Sequence, residues 1–239
     1  MRVNWNYIKM VALLILVVFL YAFSSAKNKD RKVSQPIIHF KGDNNLFLTH
    51  ENVSKLLIQN KESVKNKSKE TLDLNDLEAA LNSNQMVKSA QVYLSVNGQL
   101  TVDIEQKKPI ARVSTHASYY IDDQGSYMPL SPNYTARVPL VTGTVEKNNL
   151  IHVFKLAQKI EADAFLKKHV IEIEQTEKST FFLKFRQCNF TVQLGSLKNL
   201  EKKIMNLKAF YNKALKEKSL NRYSNVNLQF DSQVVCTKI

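Results

Sequence analysis

The sequence predicts an α+β protein in three parts. A single N-terminal transmembrane helix comes first, then a small domain of order β-α-α-β-β, then a mixed β domain with covering helices. Three observations carry this. Met10 to Ala26 holds no charge and no helix breaker. Short apolar stretches with a two-residue period dominate the remainder. Between them, apolar residues return at helical three-and-four spacing.

The apolar run, with Trp5, Tyr7 and Ile8 ahead of it, reaches the ~20 residues that a bilayer crossing needs. Lys9 interrupts its front end, where a long stem lets the ammonium reach the headgroups. The expected limits are a short tail at 1–7, the span at 8–26 and a polar tether at 27–35. A cleaved signal peptide competes, since Ser24, Ser25 and Ala26 are small residues behind a basic start. Against it, the run is longer than a usual signal core. Orientation is a separate matter. Lys27, Lys29, Arg31 and Lys32 outnumber Arg2 and Lys9, and a plain count of basic residues puts the body in the cytoplasm.

The chain has 34 basic and 21 acidic residues, a formal charge of +13. That balance suits an anionic neighbour. The lysines are spread along the whole chain, and the aromatics sit at alternating core positions rather than among them. This is not the pattern of a nucleic-acid binder. Cys188 and Cys236 are too few for a disulfide framework and read as buried small apolar residues.

In the first domain, Pro36 to Lys41 reads as a strand and Gly42 to Asn45 as a turn. Thr49 is a fitting N-cap for a helix from His50 to about Gln59, with Val53, Leu56 and Leu57 as its stripe. Lys61 to Glu70 is a polar, basic loop. Asn75 to Glu78 resembles a capping box with Leu74 as staple, and Asn82 to Asn84 stops that second helix. Ala90, Val92, Leu94 and then Leu100, Val102, Ile104 alternate around Asn97-Gly98. A two-residue loop would set Leu94 against Thr101 and mix the faces. A three-residue loop, 96–98, pairs Leu94 with Leu100 and puts Gly98 in the left-handed position that it requires. Lys107, Lys108 and Pro109 break the pattern, so the first domain is expected at 36–107 and the second at 108–239.

The second domain opens with strands at Ile110–Val113 and Tyr119–Ile121, an acidic turn at Asp122–Gly125, and Tyr127-Met128. Asp122 and Asp123 are neighbours in a turn and do not converge on one atom as an acid/base pair must. Pro129, Pro132 and Pro139 mark an irregular crossing to Leu140–Gly143. Leu150, Val153, Phe154, Leu156, Ala157 and Ile160 line one side of a helix. Phe181–Phe185 and Phe190–Leu194 form a hairpin whose parity fits a four-residue loop, 186–189. A long helix is expected from about Ser196 to Lys218, faced by Leu197, Leu200, Ile204, Leu207 and Tyr211. Val226, Leu228 and Phe230, then Val234 and Cys236, alternate to close the chain in a strand.

In that order and spacing, several stretches together resemble the FtsQ/DivIB family of bitopic bacterial division proteins. Val87 to Val92 resembles the opening of the hairpin in the family's POTRA domain, and Glu105 to Ala111 its domain junction. Tyr120 to Gly125, Pro139 to Gly143 and Asn227 to Phe230 resemble parts of its β domain. The resemblance implies a membrane scaffold without catalysis or cofactor. Its body stands outside the cytoplasm, against the charge count, and it works in the division complex with FtsB- and FtsL-type bitopic proteins. It implies a partner contact at the edge of the last strands, here Phe230, Ser232, Gln233, Val234, Val235, Cys236, Thr237 and Lys238. A terminal strand leaves a row of N–H and C=O groups to which a partner adds its own.

Two other classes compete. A membrane-anchored cell-wall enzyme finds little support: no His-Glu-x-x-His, Gly-x-Ser-x-Gly or Cys-x-x-Cys occurs, and the Ser-x-x-Lys at Ser24–Lys27 lies at the edge of the span. His39, His50, His116, His152 and His169 have no ligand spacing, so no metal and no small-molecule substrate is expected. An envelope transport or assembly protein with a POTRA module differs from the division reading in its partners.

Overall fold

The structure, a computed structural model, describes residues 5–29, 33–42, 45–59, 72–146, 149–176, 179–230 and 233–239. The centre of the turn expected at Gly42–Asn45, the loop expected at 61–70 and the site residue Ser232 lie outside the described residues. The chain divides into two compact units, Met1–Gln106 and Lys107–Ile239.

Helix α1 runs from Trp5 to Lys29. Its 25 residues make about 37 Å at 1.5 Å each, more than the ~30 Å of a bilayer's apolar core. Its apolar side chains, Leu13 to Leu20 among them, are all exposed. The helix exceeds the expected 8–26 at both ends, because nothing between Ala26 and Lys29 stops it. The tether expected at 27–35 is thus helical at its start. At its end Val33 is only 2 % exposed, and Ser34 N donates to Gly98 O at 3.0 Å, so these residues pack into the first unit.

That unit contains β1 (Ile37–Lys41), α2 (His50–Gln59), α3 (Leu74–Asn82), β2 (Val87–Leu94) and β3 (Leu100–Gln106). Its sheet order is β1-β3-β2, with β1 parallel and β2 antiparallel to β3. Thr49 and Asn52 cap α2 reciprocally: each backbone N–H donates to the other's side-chain oxygen at 3.2 Å. Helix α3 starts earlier than expected. Asp73, not Asn75, is its N-cap and accepts from the N–H groups of Asn75 and Asp76. Leu74 therefore lies inside the helix instead of stapling it. The β2–β3 register is the expected one, Leu94 opposite Leu100 and Val92 opposite Val102, with Gly98 at φ +89°. Val53, Leu57, Leu77 and Leu81 of the helices pack with Leu100, Val102 and Ile104 of the sheet in one core.

Among the described residues the second unit contains nine strands. These are β4 (Pro109–Ser114), β5 (Ser118–Asp122), β6 (Tyr127–Met128), β7 (Leu140–Gly143), β8 (Val170–Gln175), β9 (Phe181–Phe185), β10 (Thr191–Gly195), β11 (Tyr223–Asn227) and β12 (Val235–Lys238). Their order is β12-β11-β10-β9-β8-β7-β4-β5-β6. Pro109 opens β4 instead of separating the units; as a first strand residue it withholds no essential ladder donor. Helices α4 (Ile151–Ala162), α5 (Ala164–His169) and α6 (Leu200–Lys216) complete the unit. Val113, Val141, Ile173, Leu183, Val192 and Val226 lie in neighbouring registers across six strands, each at most 1 % exposed. They share one core with Val153, Leu156 and Ile160 of α4 and Ile204 and Leu207 of α6.

Helix α5, strand β8 and a 3-10 turn at Leu220–Arg222 escaped the sequence pattern. Asp163 caps α5 by accepting from Phe165 N and Leu166 N, and this restarts the chain straight after α4. Strand β8 lies mid-sheet between β7 and β9. Helix α6 begins four residues later than expected, since Asn199 takes a left-handed φ of +54° and turns the chain first. Leu197 lies in that turn and still packs on the core. The β9–β10 register follows the expected parity, and the rings of Phe185 and Phe190 are 6.0 Å apart.

Candidate functional site

Strand β12 is the last strand of the nine-stranded sheet, and among the described residues it pairs with β11 alone. Ile239 N donates to Arg222 O at 3.0 Å, so the backbone of Ile239 faces β11. Backbone direction alternates along a strand, and Thr237 and Val235 therefore face β11 too. The N–H and C=O groups of Cys236 and Lys238 point to the outer side. Among the described residues no strand pairs with that side.

Side chains divide the same segment differently. Val234 and Cys236 are half-buried and pack against the core of the unit. Val235, Thr237 and Ile239 alternate with them and are exposed, Ile239 by 80 %. Phe230, beyond the end of β11, is 47 % exposed. Gln233 is exposed and Lys238 ends the strand. The segment expected from sequence is thus a short edge with an anchored face, an apolar exposed face and an outward backbone row. Ser232 lies outside the described residues.

The first unit's β2 is also an edge strand. There the outward groups are met from within. Asn82 of α3 accepts from Ala90 N at 2.8 Å and donates to Ala90 O at 3.3 Å, and Glu78 accepts from Val92 N at 3.1 Å. This role of Glu78 and Asn82 was missed from sequence; the two are four residues apart, one turn of α3, and that spacing on one helix face is the signal that they act together. The opposite edge, β1, is charged: Lys41 and His39 both reach Asp103, at 2.9 and 3.2 Å. Hydrogen bonding to Lys41 chiefly holds the Asp103 carboxyl below its usual range.

The other candidates are structural. Asp122 is fully buried. Its Oδ1 accepts from Gln124 N and Ser126 N, and the Lys107 ammonium lies 2.8 Å from Oδ2. This is turn chemistry, as expected, and Asp123 does not share it. His169 stacks among Phe165, Phe185 and Tyr211, while His50 sits edge-on to Phe40. Cys188 and Cys236 are free thiols, half-buried rather than buried, and burial pushes both pKa values up. Among the described residues no three potential ligands cluster for a metal ion.

Two family models match. One, described as FtsQ/DivIB, C-terminal related, covers residues 108–237. The other, a POTRA-like domain, covers residues 38–105. No individually curated protein matches the chain.

Proposed function

The chain belongs to the FtsQ/DivIB family, and from that premise we propose that it is a non-enzymatic, single-pass scaffold of the bacterial division complex in the inner membrane. Helix α1 is the anchor, and both units stand on the extracytoplasmic side. The working surface is Phe230 with the segment Gln233 to Lys238, and Ser232 within it. An FtsB- or FtsL-type bitopic protein adds a strand to β12, and the exposed Val235 and Ile239 side chains take its apolar residues. Domain limits follow the same reading: a POTRA domain to about Lys107 and a β domain beyond it.

The single observation behind this is the outward backbone row of Cys236 and Lys238 on an edge strand, beside exposed apolar side chains. Such an edge invites pairing unless something blunts it. The test is a proline placed by ladder direction. Lys238→Pro removes an outward donor and leaves the β11 bonds intact. Copurification of the full chain with its FtsB-type partner is expected to fall at least about tenfold, the equivalent of one well-made interfacial hydrogen bond, while the second unit's melting temperature holds. Undiminished capture rejects strand addition at β12.

A further inference from the structure

The second unit contains a half-enclosed cavity of 270 Å³, lined from β4, the segment ahead of β7, α4, α5, β8 and the turn after β9. Ile110 of β4, Ile160 of α4, Val170 of β8 and Pro139 ahead of β7 give it apolar walls. Arg137, Lys167 and Arg186 line it as cations, and Glu161 is its one acidic residue. Glu161 is already engaged: Lys108 lies 2.8 Å and Lys167 2.9 Å from its Oε1. Burial pushes the Glu161 carboxyl up, but the hydrogen bonds from both lysines outweigh it and keep it below its usual range.

That leaves the two guanidinium groups. Arg137 and Arg186 are both exposed at the mouth of the cavity, and among the described residues neither side chain has a hydrogen-bond or ion-pair partner. The cavity's one carboxylate is thus already satisfied by Lys108 and Lys167, and the two arginines that line it carry charge with no acidic partner. A guanidinium is a planar fork that matches a carboxylate by two parallel bonds, and it holds its charge at any working pH. At 270 Å³ the cavity is below the ~300–1,000 Å³ of drug-sized sites, so its occupant is about one amino-acid residue in size.

We propose that this cavity binds a carboxylate carried on a small apolar body, such as the free C-terminal residue of a short peptide, with Arg137 and Arg186 on the carboxylate and the apolar walls around the side chain. The site is independent of the strand-addition reading. Strand β8 lies four strands from β12, about 19 Å across the sheet.

The test uses the full chain in detergent, with N-acetyl-alanine as probe, its neutral amide as control, and inorganic phosphate at matched ionic strength. N-acetyl-alanine is expected to shift the methyl signals of Ile110 and Ile160 saturably, and the amide not at all. Arg137→Gln and Arg186→Gln are each expected to weaken binding about tenfold or more, the scale of a charge-assisted hydrogen bond. Lys155→Gln, at another surface of α4, serves as control and leaves it unchanged. Equal shifts with the amide, unaltered binding in both arginine variants, or a response to phosphate alone each overturn the assignment.

Discussion

In the first unit the outward row of the edge strand β2 is occupied by Asn82 and Glu78 from the unit's own helix. In the second, the outward row of β12 meets no strand among the described residues, and Val235 beside it is exposed. Both strands have the hydrogen-bonding capacity to accept another chain. They differ in whether a neighbouring helix supplies polar side chains at that border. The charge differs too. Residues to Gln106 include 13 basic and 10 acidic, those after it 21 and 11, so the excess charge sits in the unit that carries the open edge. A basic surface around a free edge draws an acidic partner and repels a second copy of the same unit. The lesson is that an edge strand alone does not mark a docking site; an edge strand that its own domain leaves unfilled does.

The largest effect expected from any single change tests whether the units stand independently. Gly143 has φ +86°, and a Cβ there would lie 2.1 Å from the backbone oxygen of Gln175 on β8. Backbone cannot yield as a side-chain tip can. Gly143→Ala is expected to cost about 3–4 kcal/mol in the second unit, through strain and a damaged β7–β8 pairing. Amide exchange resolved by residue should show protection lost after Lys107 and kept in the first unit. Equal loss in both would mean that they unfold as one.

The matching lesion in the first unit is Gln106→Leu. Gln106 is buried; its Oε1 accepts from Phe47 N and Leu48 N and its Nε2 donates to Leu48 O, all near 3.0–3.1 Å. Leucine fills the space and leaves these backbone groups unmet, a cost of about 2–3 kcal/mol. Denaturant melts followed in each unit should move the first midpoint alone.

A smaller change turns one edge into the other. Asn82→Ala with Glu78→Ala empties the β2 border. The loss in stability should be about 1–2 kcal/mol, since the freed groups are only partly buried. The informative readout is association. Sedimentation should show a concentration-dependent dimer that the parent chain does not form. If the doubly substituted chain stays monomeric, an unfilled row is not sufficient for strand addition and the β12 reading loses its physical basis.

Much of this was legible in the sequence because it is periodic. The Ala90–Ile104 hairpin could be set to a single register, since a one-residue slip would set Leu94 against Thr101 and mix apolar and polar residues on each face. The anchor is legible from composition alone. What escaped is local and non-periodic. Strand β8, Val170 to Gln175, alternates only weakly, and α5 has six residues, too few for a stripe. The starts of α3 and α6 were misplaced because capping depends on backbone angles: Asp73 outcompetes Asn75, and a left-handed Asn199 delays the second helix. The candidate edge was legible only as the chain's last alternating stretch. Which of its backbone groups point outward, and that β2 is closed by Glu78 and Asn82, needed three dimensions.

The smallest expected effect is electrostatic, and it separates the units by pH. In the second, burial pushes the Asp163 carboxyl up, but hydrogen bonds from Lys208 and from the N–H groups of Leu166 and Phe165 outweigh it and hold it below its usual range. In the first, Asp103 and Glu105 are held low chiefly by hydrogen bonds to Lys41 and Lys88. A depressed carboxylate stabilises the fold fully above its unfolded value, near 4, and the contribution is lost as pH falls through the lower folded value. Both units should therefore weaken between about pH 5 and pH 2. The Asp163 share also carries a helix cap, so Asp163→Asn, which keeps the acceptor and removes the charge, should flatten the second unit's acid slope by under about 1 kcal/mol and leave the first unit's slope alone. An unchanged slope in the second unit would assign its acid sensitivity to Glu161, which lines the cavity with its partner Lys167, and would make the Arg137–Arg186 pocket the more pH-responsive part of the fold.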